Sequence, residues 1–218
     1  MNNFITLQDF EYYNSEIADD SMKEIMVDVS KALTTRGNWE EETEEIMKKE
    51  IKEGDIVVDI GASIGYFTLL MSKLVGASGT VYSFEPTPNQ FVYLQHNIKQ
   101  NGFEDRVKVF NIAANDQQGV LSIQCNACSP NLVSGWALDD ILPKKVDFIK
   151  IDIDGSEPRA LKGLIKTIER NPQLKMIIEY IPETQRKLGN SPEEMMEIID
   201  KYFTYKKVDE HNLYCQRK

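Results

Sequence analysis

The sequence predicts an α/β fold: a doubly wound, mostly parallel sheet whose last strand is antiparallel, preceded by a helical N-terminal extension. Three observations carry this reading. From Asp55 onward, short apolar runs alternate with helical patterns, the arrangement that gives parallel strands covered on both faces. A glycine turn, "GASIG", follows directly on the first apolar run. The chain closes on "YFTYKKVDEHNLYCQ", two strand patterns joined by a tight turn at about residues 209–212. With no helix between them, the last strand must enter against its neighbours.

The elements follow in order. Residues 1–54 read as a polar helical extension or lid, and residues 55–218 as one α/β domain. In the extension, Ser21 caps a helix to about Thr35, with Met22, Ile25, Met26, Val29 and Leu33 at helical spacing. Gly37-Asn38 ends it. A second helix over residues 39–52 opens on glutamates, which favour the positive end of a helix. Its "EEETEE" run reads as a solvated face.

"DIVVDI" is the first strand of the domain, followed by a helix over residues 64–75 with Phe67, Leu70, Met71 and Leu74 on one face. "TVYSFE" is the second strand. Thr87 then caps a helix that Pro88 opens, with Phe91, Leu94 and Ile98 inward and Asn101-Gly102 at its end. "RVKVFNIA" is the third strand, "GVLSIQC" a short extra one, and residues 126–135 a loop. "VDFIKIDI" is the fourth, leading into a helix over residues 158–170 with Leu161, Leu164, Ile165 and Ile168 inward. "LKMIIEY" is the fifth. Ser191-Pro192-Glu193-Glu194 is a capping box that opens the last helix.

Composition narrows the class. A chain of 218 residues with 41% hydrophobic and 28% charged residues is globular and fits one domain. Apolar runs such as "FTLLM" fall far short of a bilayer span, and the N-terminus lacks a secretory pattern, so a cytoplasmic setting with no membrane partner is expected. The net charge of -10 repels phosphate backbones, so no nucleic acid partner is expected. Cys125 and Cys128 would need a second ligand pair to hold zinc, and only Cys215, His96 and His211 remain. They read as plain loop thiols, with no metal assigned. The oligomeric state stays open.

The glycine turn sits where open α/β sheets bind ligands, beyond the carboxyl ends of the strands. Gly61 and Gly65 are present, but Ser63 takes the place of the middle glycine that lets backbone approach a pyrophosphate. Asp59 in front of the turn would oppose a diphosphate and favour a cationic ligand. Glu85, at the end of the second strand, can accept from two ribose hydroxyls. Aspartate, glycine turn and Glu85 together point to S-adenosyl-L-methionine, whose methionine end carries an ammonium and a sulfonium.

A second group follows the fourth strand, in "KIDIDGSEP". Strand alternation puts Phe148, Lys150 and Asp152 on one face and Ile149, Ile151 and Ile153 on the other. A lysine in a doubly covered strand needs a partner, which Asp152 can supply. Asp154 and Glu157 join Asp152 at the strand end, and Glu179 ends the next strand, so acids converge on the ligand edge.

These stretches together resemble the FkbM family of S-adenosylmethionine-dependent methyltransferases over roughly residues 37–182. "GNWEEET", "VVDIGASIGYFTLLMSKLVGASGTVYSFEPTP", "HNIKQNG" and "WALDDILPKKVDFIKIDIDGSEPRALKG" carry the resemblance, with Glu179 in "IIEY". It implies a Rossmann-like class I methyltransferase domain with a seven-stranded sheet, and O-methylation of a hydroxyl on a sugar or small metabolite. By the same resemblance Asp59, Gly61, Ser63 and Gly65 surround the methionine part, Glu85 holds the ribose, and Ala113 flanks the adenine. Asp152 stands at the methyl-transfer edge. The chain departs from many members, which have Asn at the Ser63 position and Glu at the Asp154 position.

Methyl transfer to an alcohol needs positioning and a proton acceptor. His96 and His211 lie on poorly placed segments, so the base is expected among Asp152, Asp154 and Glu179, or is Lys150 with a lowered pKa. Clustered oxygens also suit hard cations such as Mg²⁺, although metal-free transfer is favoured. The "FEYYNSE" segment and the loop from Cys125 to Trp136 are candidates for the acceptor pocket. Two other readings compete. A nicotinamide-dependent oxidoreductase or epimerase is disfavoured by the missing middle glycine. A catalytically silent binding protein on the same fold would keep the turn but transfer nothing.

Overall fold

The structure is a computed structural model that describes residues 4–7, 10–13, 40–123 and 131–218, the first two stretches as backbone. Strands β1 (Phe4–Leu7) and β2 (Phe10–Tyr13) pair antiparallel, and β2 runs beside a helix described below. The expectation of a helical start is therefore corrected at these residues. The helix expected from Ser21, and the pair Cys125 and Cys128, lie outside the described residues.

Helix α1 (Glu41–Glu50) leads into β3 (Ile56–Ile60), α2 (Tyr66–Val75), β4 (Thr80–Phe84), α3 (Pro88–Gln100) and β5 (Val107–Phe110). It is α3 that β2 passes. A small sheet follows, made of β6 (Ala113–Ala114), β7 (Gly119–Ile123) and β8 (Asn131–Trp136). Then come β9 (Phe148–Ile151), α4 (Glu157–Lys162), α5 (Ile165–Arg170) and β10 (Lys175–Glu179). Helices α6 (Pro182–Lys187) and α7 (Pro192–Tyr202) precede the closing strands β11 (Phe203–Lys207) and β12 (Asn212–Arg217).

The main sheet has seven strands in the order β11-β12-β10-β9-β3-β4-β5. Neighbours from β10 to β5 are parallel, and β12 is antiparallel to both β10 and β11. The reversed closing strand is thus as expected. Alternation along each strand splits the core in two. Val57, Phe148 and Ile177 pack under α1 to α3 with Met47, Leu69, Met71 and Leu94. Val58, Ile149, Ile151 and Ile178 pack under α4, α5 and α7 with Leu161, Leu164, Ile168 and Ile199. Among the described residues no helix is long and apolar enough to cross a membrane.

Three further expectations are corrected. The loop expected over residues 126–135 contains β8, which pairs antiparallel with β7 and buries Val133. The helix expected over residues 158–170 breaks at Gly163. A Cβ there would come within 2.0 Å of the Asn115 carbonyl oxygen, so the chain turns, and the Asp139 carboxylate takes the Lys166 and Thr167 amides that start α5. The "EEETEE" run is not a uniformly solvated face: Thr43 and Glu44 are buried, Glu44 accepting from Lys48 at 2.6 Å and from the Tyr66 hydroxyl.

Candidate functional site

After β3 the chain crosses to β4 and β5 on one side, then returns to β9 on the other. Strand order reverses between β3 and β9, which opens a crevice beyond their carboxyl ends. The glycine turn fills the β3 side of this crevice. Gly61 has φ +86°, and an added Cβ would lie 1.8 Å from the Asp152 carbonyl oxygen. Only glycine allows the turn to pass so close to the end of β9. The Gly61 and Ala62 amides donate to the Phe84 carbonyl at 3.0 Å, and Asn97 Nδ2 donates to the Ile64 carbonyl at 2.7 Å. The turn is therefore tied to β4 and α3.

Glu85 is buried beside it. Its Oε2 accepts from the Ser63 amide at 2.8 Å and its Oε1 from the Thr87 amide at 2.7 Å. Burial pushes its pKa up to about 7, against the two amides that favour the charged form. The Thr87 side chain also donates to this carboxylate. Asp59 is fully buried; Thr68 Oγ1 donates to its Oδ2 at 2.6 Å, while Oδ1 has no hydrogen-bond partner among the described residues. Burial raises its pKa, and Lys150, its register partner on β9, opposes the rise. Ala113 is buried in β6, paired with Gly135, just past the end of β5. Asn111 bridges that end to the Glu85 carbonyl at 2.8 Å.

On the β9 side, Lys150 is 2% exposed and donates to Asp152 Oδ2 at 2.7 Å. Its ammonium also stands 4.4 Å from the centre of the Phe67 ring. Burial would lower its pKa, but Asp152, Glu40 and Asp59 outweigh it and hold the lysine above its ordinary value. The expectation of a lysine base with lowered pKa is corrected: Lys150 is a fixed cation.

Asp154 has φ +51° and is exposed at its residue surface; desolvation of its carboxyl and the Asp152 charge raise its pKa. Glu179 ends β10, and its Oε2 is buried with no partner among the described residues. Burial first, then the charges of Asp152, Glu157 and Asp154, push its pKa up to about 8, while Lys150 pulls the other way. Glu157 is different: it is fully buried and its oxygens take the Ile153 amide, the Gly155 amide and the Gln185 side chain. Among the described residues, no three His, Cys, Asp or Glu side chains are grouped to hold a metal ion.

Sequence reasoning missed Glu40. It precedes α1, its Oε2 is buried without a partner among the described residues, and its carboxyl faces Lys150 and Asp152. Burial raises its pKa more than the lysine lowers it. The signal was present in "GNWEEET", where a polar run hid an inward carboxylate.

The methyltransferase FkbM domain profile matches residues 59–207, about two thirds of the chain, from the end of β3 through β11. The chain belongs to the FkbM methyltransferase family. Among its curated relatives is the 31-O-demethyl-FK506 methyltransferase FkbM of Streptomyces tacrolimicus, 26% identical over 69% of this chain and 51% of that protein. A protein-L-isoaspartate O-methyltransferase of Methanocella arvoryzae is 41% identical over 28% of this chain and 32% of its own length. tRNA-modifying enzymes also occur among the relatives. The chain spans about a third to a half of these first relatives. The crystal structure of methyltransferase FkbM from Methylobacillus flagellatus superposes with a TM-score of 0.56 at 21% identity, covering 91% of this chain and 55% of that one. That likeness shows the fold.

Two positions at which this chain departs from the common FkbM pattern share a property. Ser63 (φ +50°) and Asp154 (φ +51°) are the two non-glycine residues in the left-handed region among the described residues. Asparagine adopts that region more readily than serine, which explains its use at the first position.

Proposed function

We propose that this chain is an S-adenosylmethionine-dependent methyltransferase that methylates a hydroxyl of an uncharged sugar or small metabolite. One observation carries the reading: a tied glycine turn, two buried carboxylates and a carboxylate-lined strand edge meet at the switch point of the sheet. The donor set suits this cofactor. Asp59 has an unpartnered buried oxygen to offer a cationic group, and Glu85, held by the Ser63 and Thr87 amides at the end of β4, would accept from the ribose hydroxyls. Bound there, the cofactor supplies an electrophilic methyl carbon.

The chain's own residues supply the rest. Asp152, Asp154 and Glu179 line the acceptor edge, with Lys150 already paired to Asp152. Such an edge repels phosphate and accepts hydroxyl donors, which favours an uncharged alcohol. One of these carboxylates would take the proton that the acceptor hydroxyl gives up as it is methylated. Glu179 suits this part: its Oε2 has no hydrogen-bond partner among the described residues, and a base whose pKa is pushed up to about 8 can take a proton near neutral pH. The name of the Streptomyces relative, which specifies an oxygen, supports an oxygen acceptor.

The nicotinamide alternative has one possible foothold, a Tyr-x-x-x-Lys spacing at Tyr202 and Lys206. Tyr202 ends α7 and donates to Glu169 at 2.6 Å, while Lys206 lies in β11 against the Tyr214 ring. The pair is not one helical face. Calorimetry separates the readings: heat on titrating S-adenosylhomocysteine and none on titrating NADH is expected, and the reverse pattern refutes the proposal. Because the acceptor edge offers no grouped metal ligands among the described residues, turnover should persist undiminished in EDTA.

A further inference from the structure

Four polar side chains around the turn after β9 have no part in the chemistry above, yet they converge on one residue of it. Glu157 Oε1 takes the Ile153 amide at 3.1 Å and the Gly155 amide at 3.0 Å, clasping the backbone on both sides of Asp154. Gln185, fully buried on α6, donates from Nε2 to Glu157 Oε2 at 3.1 Å and to Met195 Sδ at 3.3 Å. Asn190 Nδ2 donates to the Gly155 carbonyl at 2.8 Å, and Arg159 Nε donates to Asn190 Oδ1 at 2.8 Å. Gly155 (φ +104°) packs so closely on Thr184 that an added Cβ would lie 3.0 Å from it. The turn is therefore bound to α6 and to the start of α7.

We propose that Glu157 and Gln185 are positioning residues that clamp the 153–155 turn, so that Asp154, in a left-handed conformation, presents its carboxylate to the acceptor beside Asp152 and Glu179. This rests on the reading of those three carboxylates as the acceptor edge. A left-handed aspartate relaxes to other backbone conformations unless its surroundings fix it. Here the fixing comes from a buried carboxylate whose hydrogen bonds go to the turn's backbone and to a glutamine one element away. Gln185 Oε1 is itself buried without a partner among the described residues, so the amide is held by its Nε2 side alone.

The experiment compares Asp154→Asn, Gln185→Leu, their double variant, and the exchange Glu157→Gln with Gln185→Glu. In the exchange the new glutamine still accepts the two amides and donates to the new carboxylate. The readout is the initial rate of label transfer from methyl-labelled S-adenosylmethionine into a small-molecule extract of the source cells, with S-adenosylhomocysteine affinity measured beside it. Each single variant should slow transfer about tenfold or more, the scale expected when a reacting group is misplaced by a fraction of an ångström to an ångström. The double variant should be no slower than Asp154→Asn, since Gln185 acts through Asp154. Affinity for S-adenosylhomocysteine should hold, and the exchange should restore most of the rate.

A second readout needs no acceptor. The carboxyl carbon of Glu179, isotope-labelled and followed by NMR, should titrate near 8 in the unaltered protein, where Asp152, Asp154, Glu157 and Lys150 face it. Its midpoint should fall in Asp154→Asn, which removes a neighbouring charge, and in Gln185→Leu, which lets that charge swing away. Gln185→Leu with an unchanged rate and midpoint, or with a loss that multiplies onto Asp154→Asn, overturns the clamp alone. Asp154→Asn at the full rate overturns the acceptor-edge reading, and the clamp with it.

Discussion

At the scale of single residues, the site is one buried cation among carboxylates. Lys150 has Asp152 as its direct partner, so Asp152→Ala should destabilise the fold by about 3 kcal/mol, the lower end of the range for breaking a buried pair because Asp152 is partly open. Chemical denaturation measures this, and Asp152→Asn, which keeps an acceptor oxygen, should lose less. Glu85 and Glu179 set the pH behaviour. Both bind a proton more tightly in the folded chain than in the unfolded one, with folded values of about 7 and about 8 against an ordinary 4.5. The stability they add is complete below the ordinary value and is lost as pH rises through 7 and 8. The unfolding midpoint should therefore fall between pH 5 and pH 8, on the order of the span between those pKa values. Glu179→Gln should flatten the upper part of that slope. Methyl transfer should run the opposite way, rising toward pH 8 as Glu179 ionises.

Among the elements, the glycine turn and the turn after β9 interlock, and substitution shows it most simply. Gly61→Ala places a methyl group against the Asp152 carbonyl and forces a positive φ on alanine, so it should cost about 3 kcal/mol or more and abolish cofactor binding. Gly119→Ala, on β7 with nothing within 4 Å and no positive φ, should stay within about 0.5 kcal/mol of the parent. Thermal unfolding of the two variants checks the contrast. Elements were legible in the sequence where period and punctuation agreed: β3, α2, β4 and α3 follow the runs ended by Gly76 and Asn101-Gly102. Where they disagreed the reading failed. β8 buries Val133 but exposes Leu132, so its apolar residues do not mark one face. Helix α1 turns Thr43 and Glu44 inward, and an apolar count cannot see a polar residue on a buried face. The break at Gly163 depends on Asn115, 48 positions away in sequence, which local pattern does not contain.

Across the whole molecule, the parallel sheet with its reversed closing strand was legible because alternation of strands and helices leaves few topologies, and two closing strands without a helix leave one direction. The ends of β3, β4, β9 and β10 were legible for the same reason: acids at successive strand ends must meet at the crevice. The ionisation states were not legible, since they depend on how many charges share one buried volume. Lys150 illustrates this: one of the candidate bases by sequence, with a lowered pKa, it has its pKa raised by Asp152, Glu40 and Asp59 against its burial. The central claim is methyl transfer from S-adenosylmethionine to a small uncharged alcohol at the edge formed by Asp152, Asp154 and Glu179. Its most direct test is transfer of a methyl label from that cofactor into fractionated extract of the source cells, with the parent chain and Asp152→Asn side by side. The label should enter the uncharged small-molecule fraction in an ether that survives mild base, and Asp152→Asn should transfer far less. Label in the nucleic acid or protein fraction, or equal transfer by both chains, would contradict the account.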